Sequence, residues 1–299
     1  MIEPSSTIEP KTVIRLASDG YPILTTIWPA IGERRGFVVV LHGVQSHAGW
    51  YRGLGRRLAE GGYDAVFPDR RGSGGNSLDR GHADSARRLL LDQIELLESI
   101  RRESMSSGSD RPSWIAVAGI SWGGKIATLL AAQRPDLVDY LALICPGLTP
   151  RVGVSPREKL EIAAAGLFRP RKKFAIPLAD PALFTASETG RAFIAEDPLS
   201  LREATASLLI ASARIDHEVR GAARRIRRPV LLMLAGKDRI IDNSKIKKYF
   251  DMIASDDKTL IEYPEAHHTL EFEADPWVYA ADLVASFDRH SMRRAGAGA

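Results

Sequence analysis

Gly119-Ile120-Ser121-Trp122-Gly123 is the stretch on which the reading of this chain turns. It follows an apolar run at residues 114–118 and precedes a helix-forming run at 125–132. A serine between two glycines at a strand-to-helix junction marks a nucleophile elbow, a tight turn that lifts the hydroxyl clear of the backbone. The flanking residues must be small, because the turn is strained and the helix packs close to the strand. Five residues of this pattern also arise by chance, so their placement between strand and helix is what gives them weight.

Working outward, strands alternate with helices. Residues 12–17 and 23–28 read as a hairpin around Asp19-Gly20, a strong turn pair. Residues 37–41 form an unbroken apolar run, as expected of a strand covered on both faces. Further strands are expected at 64–67, 115–118, 141–144, 230–234 and 259–263, with helices at 50–60, 86–102, 125–133 and 277–287. This alternation predicts an α/β fold, a mostly parallel sheet with helices on both faces. The rhythm breaks from 149 to 228, where no strand is evident and helices are expected at 157–167 and 199–211. An insertion between two core strands reads most simply as a helical cap over the strand ends. The expected organisation is a core of residues 1–148 and 229–299 and a cap of 149–228.

Composition sets outer bounds. The 299 residues are 44% hydrophobic and 26% charged, ordinary for a soluble globular chain. A net charge of +4 is too small to imply a nucleic-acid partner. The single cysteine, Cys145, cannot form an intrachain disulfide. No run approaches the ~18 apolar residues of a membrane-spanning helix. The first eleven residues carry Glu3, Glu9 and two prolines and no apolar core, which is unlike a signal peptide. A cytoplasmic protein is the default expectation. Residues 293–299, rich in Gly and Ala, are expected to fray.

A serine hydroxyl is a poor nucleophile unless a base sits beside it and an acid orients that base. Asp238, in Gly236-Lys237-Asp238, follows the expected strand at 230–234, and Asp242 is its rival. His268, in Glu265-Ala266-His267-His268, follows the expected strand at 259–263, and His267 is its rival. Serine, acid and histidine thus fall in the chain order that follows an elbow serine, each past the end of a core strand. The developing oxyanion needs donors. One is the backbone N–H of Trp122, and the other is that of Val44, in the loop Leu41-His42-Gly43-Val44 after an early strand. His42 and His47 suggest a metal pair but lack a third ligand nearby. Cys145 ends an apolar strand and reads as a buried small hydrophobe. Gly72-Ser73-Gly74-Gly75 lacks the Gly-Lys-Ser/Thr ending of a phosphate-binding loop.

The run His42-Gly43-Val44-Gln45-Ser46-His47 with Tyr51, the run Asp69-Arg70-Arg71-Gly72-Ser73-Gly74, the elbow, Gly236-Lys237-Asp238 and His268 together resemble the α/β-hydrolase fold. Within it the chain is similar to the monoacylglycerol lipase and lysophospholipase-like serine hydrolases, over roughly residues 12–290. The resemblance implies a catalytic triad of Ser121, Asp238 and His268, with the spacing from Tyr263 selecting His268, and an oxyanion hole at Val44 and Trp122. It implies cleavage of a small acyl ester or lipid-like substrate through an acyl-enzyme, with no metal or organic cofactor and no nucleic acid. The chain departs from the group at Ile120, where His is frequent, at Gln45-Ser46, and at Ser73 and Asn76. These loops line the acyl pocket, so the departures bear on substrate choice.

Three other functions use the same frame. An aminopeptidase or amidase needs an acidic anchor for the substrate amine, for which Glu196, Asp197 and Glu203 are candidates. An acyltransferase needs a partly dry pocket. A non-catalytic binding module has no need of all three triad groups. Two basic clusters, Arg169, Arg171, Lys172, Lys173 and Arg224, Arg225, Arg227, Arg228, read first as solvated surface. The first is mixed with Leu167, Phe168 and Phe174, which also suits peripheral contact of the cap with an anionic lipid surface.

Overall fold

Eight strands lie in one sheet in the computed structural model, which describes residues 9–106 and 113–296. Along the chain come β1 (Lys11–Leu16), β2 (Pro22–Trp28), β3 (Gly36–Leu41), β4 (Tyr63–Pro68), β5 (Ile115–Ile120) and β6 (Tyr140–Ile144). An insertion then carries β7 (Lys173–Ala175) and β8 (Glu203–Thr205), and β9 (Val230–Ala235) and β10 (Lys258–Tyr263) follow it. The order across the sheet is β1-β2-β4-β3-β5-β6-β9-β10. Only β2 runs against its neighbours; every other pairing in this sheet is parallel. Every residue of β3, β5, β6 and β9 is buried, which is why their sequences are unbroken apolar runs.

The helices are α1 (Arg52–Glu60), α2 (Ala86–Ser106), α3 (Gly123–Gln133), α4 (Pro156–Phe168), α5 (Glu188–Glu196), α6 (Ala206–Arg220), α7 (Asn243–Asp251) and α8 (Trp277–Gly296). Helices cover both faces of the sheet, α1 packing with α8 and α2 with α3. The rings of Tyr63, Trp114, Tyr140 and Phe287 lock α8 onto β4, β5 and β6, with centroids 5.3 to 6.0 Å apart. Parallel strands bring the C-terminal ends of β3, β5, β6, β9 and β10 to one edge, the place where open α/β sheets carry their sites.

The insertion departs from its sequence reading in two respects. It does contain strands, because β7 and β8 pair antiparallel as a small ribbon. Three residues each are too few to show a period of two. The second helix begins at Ala206, not at 199. Residues 199–204 are drawn out by bonds to core loops: Leu201 N–H donates to Gln45 O at 2.9 Å, and Arg80 donates to Leu199 O at 2.7 Å and Ser200 O at 3.1 Å. Thr205 then caps the helix. At α4 the expectation holds, since Ser155 and Glu158 form a capping box with Pro156 in the first turn. Helix α6 fastens to the elbow helix at two points one turn apart, Trp122 Nε1–H to Ser212 Oγ at 2.8 Å and Lys125 Nζ to Asp216 at 2.6 Å.

At the C-terminus α8 runs to Gly296, so 293–296 are helical where fraying is expected; residues 297–299 lie outside the described residues, as does the leader reading of residues 1–8. Among the described residues no helix is long and apolar enough to cross a membrane.

Candidate active site

Strand β5 ends at Ile120 and α3 begins at Gly123, which leaves Ser121 at the corner with φ +50°, in the left-handed region that side chains disfavour. Both glycines of the motif are required by space. A Cβ on Gly119 would lie 2.6 Å from Gly124 Cα, and one on Gly123 only 2.1 Å from Leu41 O. The loop after β6 braces the corner. Ser121 N–H donates to Ile144 O at 3.0 Å, and Gly147 N–H donates to Ser121 O at 2.7 Å.

The turn after β9 carries Asp238 and the loop after β10 carries His268. His268 Nε2 lies 2.8 Å from Ser121 Oγ, and His268 Nδ1 lies 2.7 Å from Asp238 Oδ2. The other carboxylate oxygen, Oδ1, accepts the N–H groups of Ile240 and Ile241 at 2.8 and 3.0 Å. An ionised carboxylate only accepts, so Nδ1 carries the ring proton and Nε2 presents a lone pair to the serine hydroxyl. Both side chains are almost fully buried. Phe184, from the insertion, covers the His268 ring edge-on at 6.1 Å, and Thr269 N–H donates to Phe184 O.

The two rivals stand apart. Asp242 caps α7, accepting Lys245 N–H and Ser244 Oγ–H, and these donors hold its carboxyl at about 2. His267 turns to Glu273, which accepts its backbone N–H at 2.8 Å and meets Nδ1 at 3.2 Å.

The His42-Gly43-Val44 loop passes beside the elbow, since a Cβ on Gly43 would lie 3.4 Å from Ser121 Cβ. Among the described residues, the N–H groups of Val44 and Trp122 have no acceptor. The carbonyls of the loop are held firmly. Gly43 O lies 2.8 Å from His42 Nδ1 and accepts from Arg70 Nη1 at 3.1 Å, and Val44 O accepts from Arg70 Nη2 at 2.8 Å. His42 Nε2 accepts Arg70 N–H at 2.8 Å, so the ring proton is on Nδ1. Burial and the Arg70 charge keep His42 neutral, well below its ordinary pKa. Ser46 Oγ and Tyr51 OH, 2.9 Å apart, close the far side of the loop.

Neither His42 nor His47 offers a ring nitrogen to a metal. His47 Nε2 meets Asp197 Oδ2 at 3.0 Å and its Nδ1 accepts Gly49 N–H. Asp197 is itself fully engaged, accepting in addition Trp50 Nε1–H at 2.7 Å, Ser200 Oγ–H at 2.9 Å and Leu199 N–H at 2.9 Å. Cys145 is buried at the end of β6, and burial pushes its thiol well up, which leaves it unreactive.

A strained elbow serine within reach of a histidine, at the carboxyl edge of a parallel sheet wound with helices, defines a serine hydrolase of the α/β-hydrolase fold. The chain belongs to the family described as "Serine aminopeptidase, S33", whose model matches residues 32–275. It is 25% identical over 275 residues to the monoacylglycerol lipase of Mycolicibacterium smegmatis, covering 91% of this chain and 94% of that protein. It is 28% identical over 297 residues to the monoglyceride lipase of Mus musculus, covering 94% and 91%. The fold matches that of a soluble variant of the Saccharomyces cerevisiae monoglyceride lipase, solved with a substrate analog, with a TM-score of 0.83 at 22% identity over 96% of this chain and 97% of that one. The chain is an ester-hydrolysing α/β hydrolase similar to these lipases.

Arg70 is the residue that sequence reading passed over. Two adjacent arginines follow Asp69, and nothing in the sequence separates their roles. Arg71 pairs with the carboxylates of Asp92 and Asp19, whereas Arg70 turns to the backbone beside Ser121.

Proposed function

We propose that the protein hydrolyses single-chain acyl esters, with monoacylglycerols as the leading class, through an acyl-enzyme on Ser121. The carrying observation is the bridge of His268 between Ser121 at 2.8 Å and Asp238 at 2.7 Å. Ser121 Oγ attacks the ester carbonyl carbon while His268 Nε2 takes its proton. The carbonyl oxygen, now negative, is received by the N–H groups of Val44 and Trp122. His268 returns the proton to the leaving alcohol. Water then repeats the sequence on the acyl-enzyme and releases the acid. Asp238 keeps the imidazole in its useful tautomer and stabilises the imidazolium. The insertion at 149–228 acts as the cap. Its Phe184 rests on His268, and its half-buried Leu178, Leu183 and Leu209 pack against the core. The single, buried cysteine fits a cytoplasmic enzyme.

An ester is favoured over a peptide by the state of the acidic candidates. A free amine needs a carboxylate that is both buried and unengaged, and Asp197 is buried but already accepts four donors, while Glu196 and Glu203 are exposed to water. The test is a panel of acyl esters graded by chain length, each beside its amide, with the labelled peptide mapped after a fluorophosphonate probe. Ester turnover with the label on Ser121 is expected. Amide rates equal to ester rates would transfer the assignment to an amidase, and product appearing only with an added alcohol acceptor would make it an acyltransferase.

The cap also carries the case for peripheral lipid contact. On α4, Leu160, Leu167 and Phe168 are 75%, 80% and 82% exposed, and Leu160 and Leu167 are two turns apart on one stripe. The exposed basic run from Arg169 to Lys173 follows directly. Apolar anchors beside basic residues suit an anionic interface. Sedimentation with vesicles should show binding that needs anionic lipid, weakens with salt and drops in Leu167→Asp/Phe168→Asp. Equal binding to neutral vesicles, or none to either kind, rejects the contact.

A further inference from the structure

We propose that Arg70 is a positioning residue for the oxyanion hole: its guanidinium fork holds the carbonyls of Gly43 and Val44 in place and polarises the peptide whose N–H receives the substrate's oxyanion. The proposal rests on the reading that Ser121 attacks an acyl carbonyl with Val44 and Trp122 as oxyanion donors.

The Gly43 carbonyl and the Val44 N–H are the two ends of one planar amide. Gly43 O accepts two bonds, one from His42 Nδ1–H at 2.8 Å and one from Arg70 Nη1–H at 3.1 Å, the second carrying a full positive charge. Density drawn to that oxygen leaves the nitrogen, so the Val44 N–H becomes a better donor; such coupling strengthens a bond by roughly 10–30%. The second arm of the fork binds Val44 O at 2.8 Å. Two successive carbonyls fixed by one rigid group set the tilt of the peptide between them. A lysine, a point charge on a flexible stem, cannot span both in the same way.

The guanidinium also lies 4.8 Å from the ring centroid of Trp122, the residue that supplies the other oxyanion donor. One side chain therefore touches both residues whose backbone N–H groups form the hole, Val44 at its carbonyl and Trp122 at its ring. Its own environment points to the same use. Arg70 is buried, and its hydrogen bonds go to neutral carbonyls, whereas the neighbouring Arg71 meets two carboxylates. A buried cation without a contacting carboxylate is costly to hold. The adjacent Asp69 offsets part of that cost, and more of it is offset when negative charge develops beside the elbow as the tetrahedral intermediate forms. Burial lowers the pKa of Arg70 to about 10, so the charge is present at neutral pH.

The experiment compares wild type, Arg70→Met and Arg70→Lys. On the best ester, Arg70→Met should lower kcat by about 10- to 100-fold while KM moves less than about threefold, the pattern of an interaction made in the transition state. Arg70→Lys should fall between. The second readout uses a long-chain trifluoromethyl ketone. Ser121 Oγ adds to its carbonyl carbon, the serine proton passes to His268, and the former carbonyl oxygen becomes an oxyanion in the hole. Fluorine NMR follows the pH at which that oxygen protonates. Arg70→Met should raise this pH by about one unit or more, a tenfold weaker hold on the anion, and Arg70→Lys by less. Folded variants that keep the wild-type kcat and adduct titration overturn the proposal, as does a loss of kcat that only tracks lost thermal stability while the titration stays put. Should Arg70→Met not fold, Arg70→Lys alone carries the comparison against wild type. A wild-type protein that forms no adduct on Ser121 overturns the serine reading itself, a result separable from any effect of Arg70.

Discussion

Ser121→Ala is expected to lower kcat on any ester substrate by about 10^5- to 10^6-fold, leaving only what substrate binding and the oxyanion donors supply. The magnitude follows from the geometry at the corner. His268 Nε2 faces a single oxygen, 2.8 Å away, and no second hydroxyl is bonded to it among the described residues. The same position makes a separate claim about stability. Ser121 sits at φ +50°, where a Cβ is disfavoured by roughly 1–2 kcal/mol. Alanine keeps the Cβ and so keeps the strain, whereas glycine releases it. Ser121→Gly should therefore be as inactive as Ser121→Ala yet melt higher than it, by about 1–2 °C for a domain of this size once glycine's extra chain entropy is set against the released strain. Ester turnover by Ser121→Ala within tenfold of wild type would remove Ser121 from the reaction, and a glycine variant that melts no higher than the alanine variant would show that the strain at the corner is no larger than glycine's entropy cost. Backbone strain held at the reacting residue is a recurrent feature of functional sites, where the surrounding packing enforces it. Here the enforcement is visible in Gly119 and Gly123, neither of which has room for a methyl group.

Much of the site is legible in the sequence because its parts are set by strand ends. Ser121 and Asp238 each follow an apolar run and His268 follows the mixed run Lys258–Tyr263, and these became β5, β9 and β10 of one sheet, parallel among themselves. A parallel sheet gathers the residues after its strands, so three separate positions imply one location. Choosing between neighbours is harder, because Asp242 differs from Asp238, and His267 from His268, only in where the turn points the side chain. What the sequence hides is of two kinds. Contacts between distant segments leave no local trace. Asp197 reads as a free acid for an amine substrate, yet His47, Trp50 and Ser200 consume it. Tertiary bonds also override local pattern. Residues 199–204 have helical spacing, but Gln45 O and Arg80 hold them extended, and the helix waits until Ala206. Arg70 combines both difficulties, since its role depends on carbonyls 26 and 27 residues away and its neighbour Arg71 is chemically identical.

Asp238→Asn should lower kcat by about 10^4-fold with the fold intact, and the reason lies in which oxygen does what. Oδ1 accepts the N–H groups of Ile240 and Ile241, so the carbonyl oxygen of an asparagine must take that side. Turning the amide over would set its NH2 against two backbone donors. The NH2 is therefore directed at His268 Nδ1, 2.7 Å away in the wild type. A donor there demands an acceptor, so the ring proton moves to Nε2, the nitrogen facing Ser121 Oγ. The imidazole then has no lone pair for the serine proton, even though every heavy atom keeps its place. Nitrogen NMR of His268 should show protonated Nδ1 in the wild type and protonated Nε2 in Asp238→Asn. Asp242→Asn provides the contrast: its side chain touches only the first turn of α7, where asparagine caps about as well as aspartate, so both that helix and kcat should stay as they were. A variant at Asp242 that loses activity as heavily as Asp238→Asn would reassign the acid, and an Asp238→Asn protein with near-normal kcat and an unprotonated Nε2 would break the link between the carboxylate and the tautomer.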